Sequence, residues 1–169
     1  MSHFHIPTDR FPNAIVHIDD GDDEFFINAP SKWYPAQRGR EHDIYVGRMA
    51  RRASGGRYII ALHRELLGVT DPKIIVDHRN GDTFDCRRSN LRIATHQQNM
   101  ANRANSKFRS LPKGVKRYGG GFRASIQDHG QIIHLGCFYC PIEAAKAYDK
   151  AAIDIFGEFA RTNQQQGVY

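Results

Sequence analysis

Cysteine is scarce, with three in 169 residues. That is too few for the disulfide framework of a small secreted domain. Long apolar runs are missing as well: no stretch approaches the roughly 18 consecutive apolar residues that a membrane-spanning helix needs. The opening residues, Met1-Ser2-His3-Phe4-His5, have no basic n-region and no apolar h-region, so no signal peptide is expected. No internal repeat is visible. Wholesale disorder is excluded by composition, since 40% of residues are apolar and 25% charged. The length suits one mid-sized domain or two small ones, at about 150 residues per domain.

What is abundant is arginine and lysine, and it is unevenly spread. Residues 1–45 hold 4 basic and 8 acidic side chains, a net of −4. Residues 46–123 hold 17 basic and 5 acidic, a net of +12. Residues 124–169 return to −2, with 3 basic and 5 acidic. A concentrated basic middle is the electrostatic footprint of a polyanionic partner, most often nucleic acid. A solvated arginine-rich surface would look the same, so the individual residues must decide.

Residues 1–60 read as strand-rich. Phe25-Phe26-Ile27, Asp43-Ile44-Tyr45-Val46 and Tyr58-Ile59-Ile60-Ala61-Leu62 are short apolar runs between Gly, Pro, Asp and Ser clusters. Gly55-Gly56 reads as a hairpin turn. Arg48, Arg51, Arg52 and Arg57 flank that hairpin and are placed to clamp a DNA backbone; a scaffold with no direct role is the alternative. The acidic cluster at Asp19-Asp20 and Asp22-Asp23-Glu24 lacks the spacing of a calcium loop and reads as solvated.

The centre of the chain carries chemistry. Ile74-Ile75-Val76 is a buried-strand signal ending in Asp77-His78, and Asn80-Gly81-Asp82 marks a turn. Leu91-Arg92-Ile93-Ala94 alternates and reads as a second strand. Thr95 with Gln98 three residues on is a capping-box signature, which predicts a helix from His96. On that helix His96, Asn99 and Arg103 share a face. Strand, loop, strand and helix bring Asp77, His78 and Asn99 toward one point. Asp77 and Asn99 offer hard oxygen donors, which suit Mg²⁺ or Mn²⁺ and disfavour zinc. His78 has the protonation range of a general base. Asn90, just before the second strand, is placed to accept from the other ring N–H of His78.

These residues resemble a family. Asp77-His78-Arg79-Asn80-Gly81-Asp82, Asp85, Arg87-Arg88-Ser89-Asn90-Leu91-Arg92 and Thr95-His96-Gln97-Gln98-Asn99 resemble the HNH homing-endonuclease motif, a ββα-metal fold, in the subtype whose third position is Asn. Leu62-His63-Arg64 resembles that family's lead-in element. Ser31-Lys32-Trp33-Tyr34 and Asp43–Arg48 resemble the strands in front of it. The resemblance implies Asp77 and Asn99 as metal ligands, His78 as general base and Asn90 as the residue that orients it. Cys86 departs from the family's usual Asn and, as a loop residue, is expected to matter little. Arg87, Arg88, Arg92 and Arg103 surround the motif, where phosphate contacts are expected. His63 reads as a packing or hydrogen-bonding residue rather than a ligand.

Residues 113–163 read as a second module. Gly114-Val115-Lys116-Arg117-Tyr118 is a strand, Gly119-Gly120-Gly121 a turn, and Phe122–Gln127 alternates strictly. Ile132-Ile133-His134-Leu135-Gly136 is a third strand. Pro141 opens a helix, Gly157 ends it, and Ala144, Ala145, Tyr148, Ala152, Ile155 and Phe156 form its apolar stripe. The segment resembles the plant apetala/ethylene-response-factor DNA-binding domain. That resemblance implies a DNA face of Lys116, Tyr118, Arg123, Ser125, Gln127 and His134. Tyr118 and His134 replace family residues, so the plant recognition sequence does not carry over. Cys137 and Cys140 have zinc-ligand spacing but lack a second pair, and read as buried or capping thiols.

Together these readings predict an α+β chain: short N-terminal strands over 1–60, a ββα-metal nuclease unit over 61–105, and a linker over 106–112. A three-stranded antiparallel sheet packed on one helix follows over 113–163, then a flexible tail over 164–169. The expected activity is sequence-directed, metal-assisted DNA hydrolysis on double-stranded DNA, with no membrane association and no evident protein partner. The resemblance to phage-borne enzymes implies a bacterial cytoplasm. A DNA-binding regulator with an inert nuclease motif is the alternative. RNA is disfavoured because A-form geometry closes the major groove.

Overall fold

The computed structural model describes residues 1–37, 44–105 and 110–169. Asp43 of the second expected run and residues 106–109 of the expected linker lie outside them. Among the described residues the architecture is α+β, with several small antiparallel sheets and few helices. It divides into two compact units, Met1–Ile93 and Ala94–Tyr169.

In the first unit, β1 (Ser2–His5) pairs with β2 (Ile15–Ile18) in a hairpin that the sequence reading did not identify. The segment Phe25-Phe26-Ile27, expected as a strand, is the end of α1 (Asp23–Ile27). Three apolar residues carry no usable period, and tertiary packing decides. Phe26 is buried with its ring stacked between Phe4 and Trp33. β3 (Trp33–Gln37), β4 (Ile44–Arg51) and β5 (Arg57–Ala61) form a meander. The β4–β5 turn runs through Gly55 and Gly56, both at positive φ (88° and 82°), as the glycine pair predicted. α2 (Leu62–Leu66) follows, then β6 (Ile75–His78), which pairs with β7 (Leu91–Ala94). One core joins Val16, Ile18, Phe26, Trp33 and Val46 with Leu62, Leu66, Val76, Cys86 and Leu91. The N-terminal strands and the Asp77-His78 strand therefore share one hydrophobic interior.

In the second unit, Thr95 caps α3 (His96–Asn102), and both halves of the expected capping box are present. The helix stops at Asn102, and Arg103 is already extended (ψ 135°), so Arg103 leaves the face it was expected to share with His96 and Asn99. β8 (Val115–Tyr118), β9 (Gly121–Asp128) and β10 (Gln131–Phe138) form an antiparallel sheet in the order β10-β9-β8. α4 (Pro141–Phe156) packs on it, burying Ala144, Ala145, Tyr148 and Ala152 against Val115, Ala124 and Ile126. Gly114 is a positional requirement. It sits at φ 79°, and a Cβ there would fall 1.9 Å from the Tyr148 ring.

Residues 164–169, expected as a flexible tail, are hydrogen-bonded to other residues of the second unit. Tyr169 Oη donates to Asp149 Oδ2 at 2.8 Å, and the Asn105 N–H donates to the Gln166 amide oxygen at 2.6 Å. Buried Asp149 also accepts from the Asn163 backbone and side chain and from the Gln164 backbone. Among the described residues no helix is long and apolar enough to cross a membrane.

Candidate active site

Asp77 and His78 end β6, whose last three residues are all buried. Strand alternation alone would expose one of them; here both faces of the short strand are covered. The chain then turns. The Gly81 N–H donates to the His78 carbonyl (2.9 Å), with Gly81 at φ 75°. Asn80 Oδ1 accepts from the Asp82 N–H (2.8 Å), and Asp82 Oδ1 accepts from the Phe84 N–H (2.9 Å), two Asx turns in series.

Asn90 holds this turn from inside. Its Nδ2 donates to Asn80 Oδ1 (3.0 Å) and to the Asp85 carbonyl (2.7 Å). The carboxamide oxygen assigned to the imidazole in the sequence accepts from the Asn80 backbone N–H at 3.0 Å. Asp85 is buried and accepts from Asn80 Nδ2 (2.9 Å) and from Arg87 Nε (2.7 Å). The Arg87 hydrogen bond is the main reason the Asp85 carboxyl sits below its ordinary range.

The Asp77 carboxylate accepts from Arg92 Nε through Oδ2 at 2.9 Å, and both side chains are buried. Burial pulls the His78 imidazole below its usual protonation range, while Asp77, Asp82 and Asp85 push the other way more weakly. A neutral imidazole is the state a base needs. His78 Nε2 lies 4.0 Å from the Cys86 sulfur. Cys86 is fully buried, so the position expected to matter little in a loop is in contact with the candidate base. Burial is the main cause that pushes the Cys86 thiol far up, so it stays protonated.

The sequence-derived residues thus divide between the units. Asp77, His78 and Asn90 belong to one hairpin of the first unit, and Asn99 lies on α3 of the second. Among the described residues no three His, Cys, Asp or Glu side chains form a metal-holding group. The donors expected from the sequence are of another kind, one carboxylate and one carboxamide, each an oxygen donor of the type that suits a hard divalent cation.

Several arginines are placed differently from expectation. Arg48, expected to clamp DNA, is buried, forms a two-point ion pair with Glu65 and lies over the Trp33 ring. A guanidinium so engaged holds β4 to α2, and that is a structural role. Arg88 is drawn to Asp22 and to the Leu66 carbonyl, and Arg87 to Asp85. Arg51, Arg52 and Arg57 are exposed at the hairpin tip, with Arg51 directly opposite Arg57. Arg103 is exposed and contacts Met100.

On the second unit's sheet, Lys116 faces Arg123, and Ser125 faces His134. The alternation puts Lys116, Tyr118, Arg123, Ser125, Gln127 and His134 on the side away from α4. The Arg123 guanidinium stacks on the Tyr118 ring at 3.2 Å. A bulge at Leu135 brings Cys137 opposite Arg123. Cys137 is exposed, and Cys140, although at the N-cap of α4, makes no side-chain capping bond, so neither is the buried or capping thiol expected.

An HNH endonuclease family model matches residues 66–101. An uncharacterized HNH endonuclease of Acanthamoeba polyphaga mimivirus is 32% identical over 143 residues, covering 84% of this chain and 72% of that protein. No solved structure matches.

Proposed function

The chain belongs to the HNH endonuclease family, and from that premise we propose that it is a sequence-directed DNA endonuclease with His78 as general base. The observation that carries this reading is the buried Asp77-His78 strand end, its turn fixed by Asn80, Asp85 and Asn90, inside the matched segment.

In this reading the neutral His78 ring takes a proton from the attacking water. Asp77, its carboxylate oriented by Arg92, and Asn99 are the proposed oxygen donors for Mg²⁺ or Mn²⁺. Such an ion, when bound, neutralises charge on the phosphate and on the leaving oxygen. Asn90 positions His78 indirectly, by fixing the turn that follows it. Ends bearing a 3′-hydroxyl and a 5′-phosphate are what family resemblance implies.

The outward face of the second unit's sheet is proposed to hold the duplex. A two- or three-stranded sheet can enter a major groove, and Lys116 and Arg123 supply charge beside Tyr118, Ser125, Gln127 and His134. The ethylene-response-factor likeness of residues 113–163 rests on the sequence alone, since the family model covers residues 66–101. Arg51 and Arg52, with Arg57, are proposed as backbone contacts at the hairpin tip, because like charges placed opposite one another are relieved by an anion.

A plasmid-nicking assay with Mg²⁺ and with chelator tests the proposal. Nicking that needs the ion, disappears in His78→Ala and fails in Asp77→Ala and Asn99→Ala is the expected result. Wild-type nicking by His78→Ala removes the base assignment. Binding without any nicking turns the reading toward a regulator.

A further inference from the structure

The candidate base is not alone in its pocket. The His63 ring, on α2, meets the His78 ring edge to face, with centroids 4.9 Å apart and planes at 68°. Tyr45, from β4, leans on both, at 5.3 Å from His63 and 6.2 Å from His78. Both imidazoles are almost wholly enclosed, His63 at 7% exposure and His78 at 4%. Three elements separate in sequence, at residues 45, 63 and 78, deliver one ring each to the same place.

We propose that His63 is a positioning residue for His78, deepening the reading of His78 as base and resting on it. An imidazole turns about a terminal torsion with broad, roughly two-fold preferences, so its rotamer alone does not fix the ring plane. A base must present its nitrogen at hydrogen-bond distance and in line with the proton it takes. The carboxamide that the sequence assigned to this task is engaged with the turn, as Asn90 Oδ1 accepts from Asn80. The ring contacts bear on the imidazole plane, beside the Cys86 sulfur at His78 Nε2. Edge-to-face packing by His63 restricts rotation, and Tyr45 closes the same cluster. Burying a second imidazole carries a desolvation cost that a leucine on α2 would not. An edge-to-face partner with a planar ring is what a leucine could not provide.

The test uses the full chain and single-turnover cleavage of a DNA substrate with saturating Mg²⁺. His63→Ala is expected to slow cleavage by roughly 10- to 100-fold, the range found when supporting groups around a reacting centre are removed. DNA affinity should stay within about twofold. His63→Phe, which restores a planar ring, is expected to recover most of the rate. A second readout needs no cleavage: the His78 ring-proton resonances should shift and broaden in His63→Ala and return toward their native positions in His63→Phe.

Cleavage by His63→Ala within twofold of the parent, with unmoved His78 resonances, overturns the proposal. So does a His63→Phe rate no better than that of His63→Ala. If His63→Ala does not fold, His63→Gln decides, because it fills part of the space without a ring; a parental rate in that variant overturns the proposal too. Parental cleavage by His78→Ala alone defeats the base assignment instead, whatever His63 does, so the two failures are distinct.

Discussion

Arg92 donates through Nε to the Asp77 carboxylate at 2.9 Å, with both partners buried. Each neutralises a charge that the other would otherwise leave stranded. Arg92→Ala should therefore destabilise the first unit by about 3–5 kcal/mol, the range for breaking a buried pair from one side. Urea unfolding followed by the fluorescence of Trp33 measures it. A loss below about 1 kcal/mol would show that the pair is solvated in solution. Because Arg92 also sets the direction of the proposed metal donor, any folded Arg92 variant should need more Mg²⁺ for cleavage.

The pH profile follows from the enclosure of His78. Burial lowers its protonation range from the ordinary 6.5, and three nearby carboxylates only partly compensate. The working form is the neutral ring. Cleavage should therefore fall to half its plateau only below pH 6.5. The linkage has a matching sign: the unfolded chain takes up this proton at higher pH than the folded one, so His78 costs stability as the solution is acidified. A single-turnover rate that halves at or above pH 6.5 would contradict the expectation.

How much of this was readable in advance depended on how local the cause was. The Thr95–Gln98 capping box and the alternation of Phe122–Gln127 are local, and both elements formed as read. So did α4 from Pro141, with its Ala144, Ala145, Tyr148 and Ala152 stripe. Arg48 looks like any other arginine in a basic stretch, and its partner Glu65 is 17 positions away. Cys86 meets His78 only once β2 is laid against its loop, where the Cys86 N–H donates to the His17 carbonyl at 2.8 Å. The terminal strap depends on Tyr169 reaching Asp149 across 20 positions. No short-range pattern encodes those contacts, since each is a product of the packed chain.

Gly114 makes a sharp test of the second unit. An alanine there needs a left-handed backbone, and its Cβ would lie 1.9 Å from a Tyr148 ring carbon. Tyr148 is itself buried between sheet and helix, so the ring has little room to yield. Gly114→Ala should cost at least about 2 kcal/mol, combining positive-φ strain with overpacking. Gly119→Ala, at φ 55° with open space around its Cβ, should cost less. Equal denaturation midpoints for the two variants would refute the packing argument.

The terminal strap predicts a smaller, graded effect. Tyr169→Phe removes one donor from a carboxylate that keeps three others, from Asn163 and Gln164. The loss should be about 1.5 kcal/mol, the low end for a hydrogen bond to a charged group. Asp149→Ala strands all four donors and should cost several times more. Hydrogen exchange at the Asn163 and Gln164 amides reads both, with fast exchange in Asp149→Ala and nearly native protection in Tyr169→Phe.

Arginine count and DNA affinity should come apart when Arg48 is compared with the sheet face. Arg48 is enclosed and paired to Glu65, whereas Lys116 and Arg123 lie on the open side of the second unit's sheet. Removing one side chain that touches a phosphate lowers the slope of log affinity against log salt by about 1. Lys116→Ala and Arg123→Ala should each flatten that slope by about this amount with the fold intact. Arg48→Ala should leave the slope unchanged and instead lower stability by about 2–4 kcal/mol, the consequence of opening a largely buried ion pair. Tyr118→Ala should weaken binding through Arg123, whose guanidinium rests on that ring. Fluorescence anisotropy with a labelled duplex at several salt concentrations separates the cases. A slope change for Arg48→Ala equal to that for Arg123→Ala would return Arg48 to the DNA-contacting set and remove the distinction drawn from its burial.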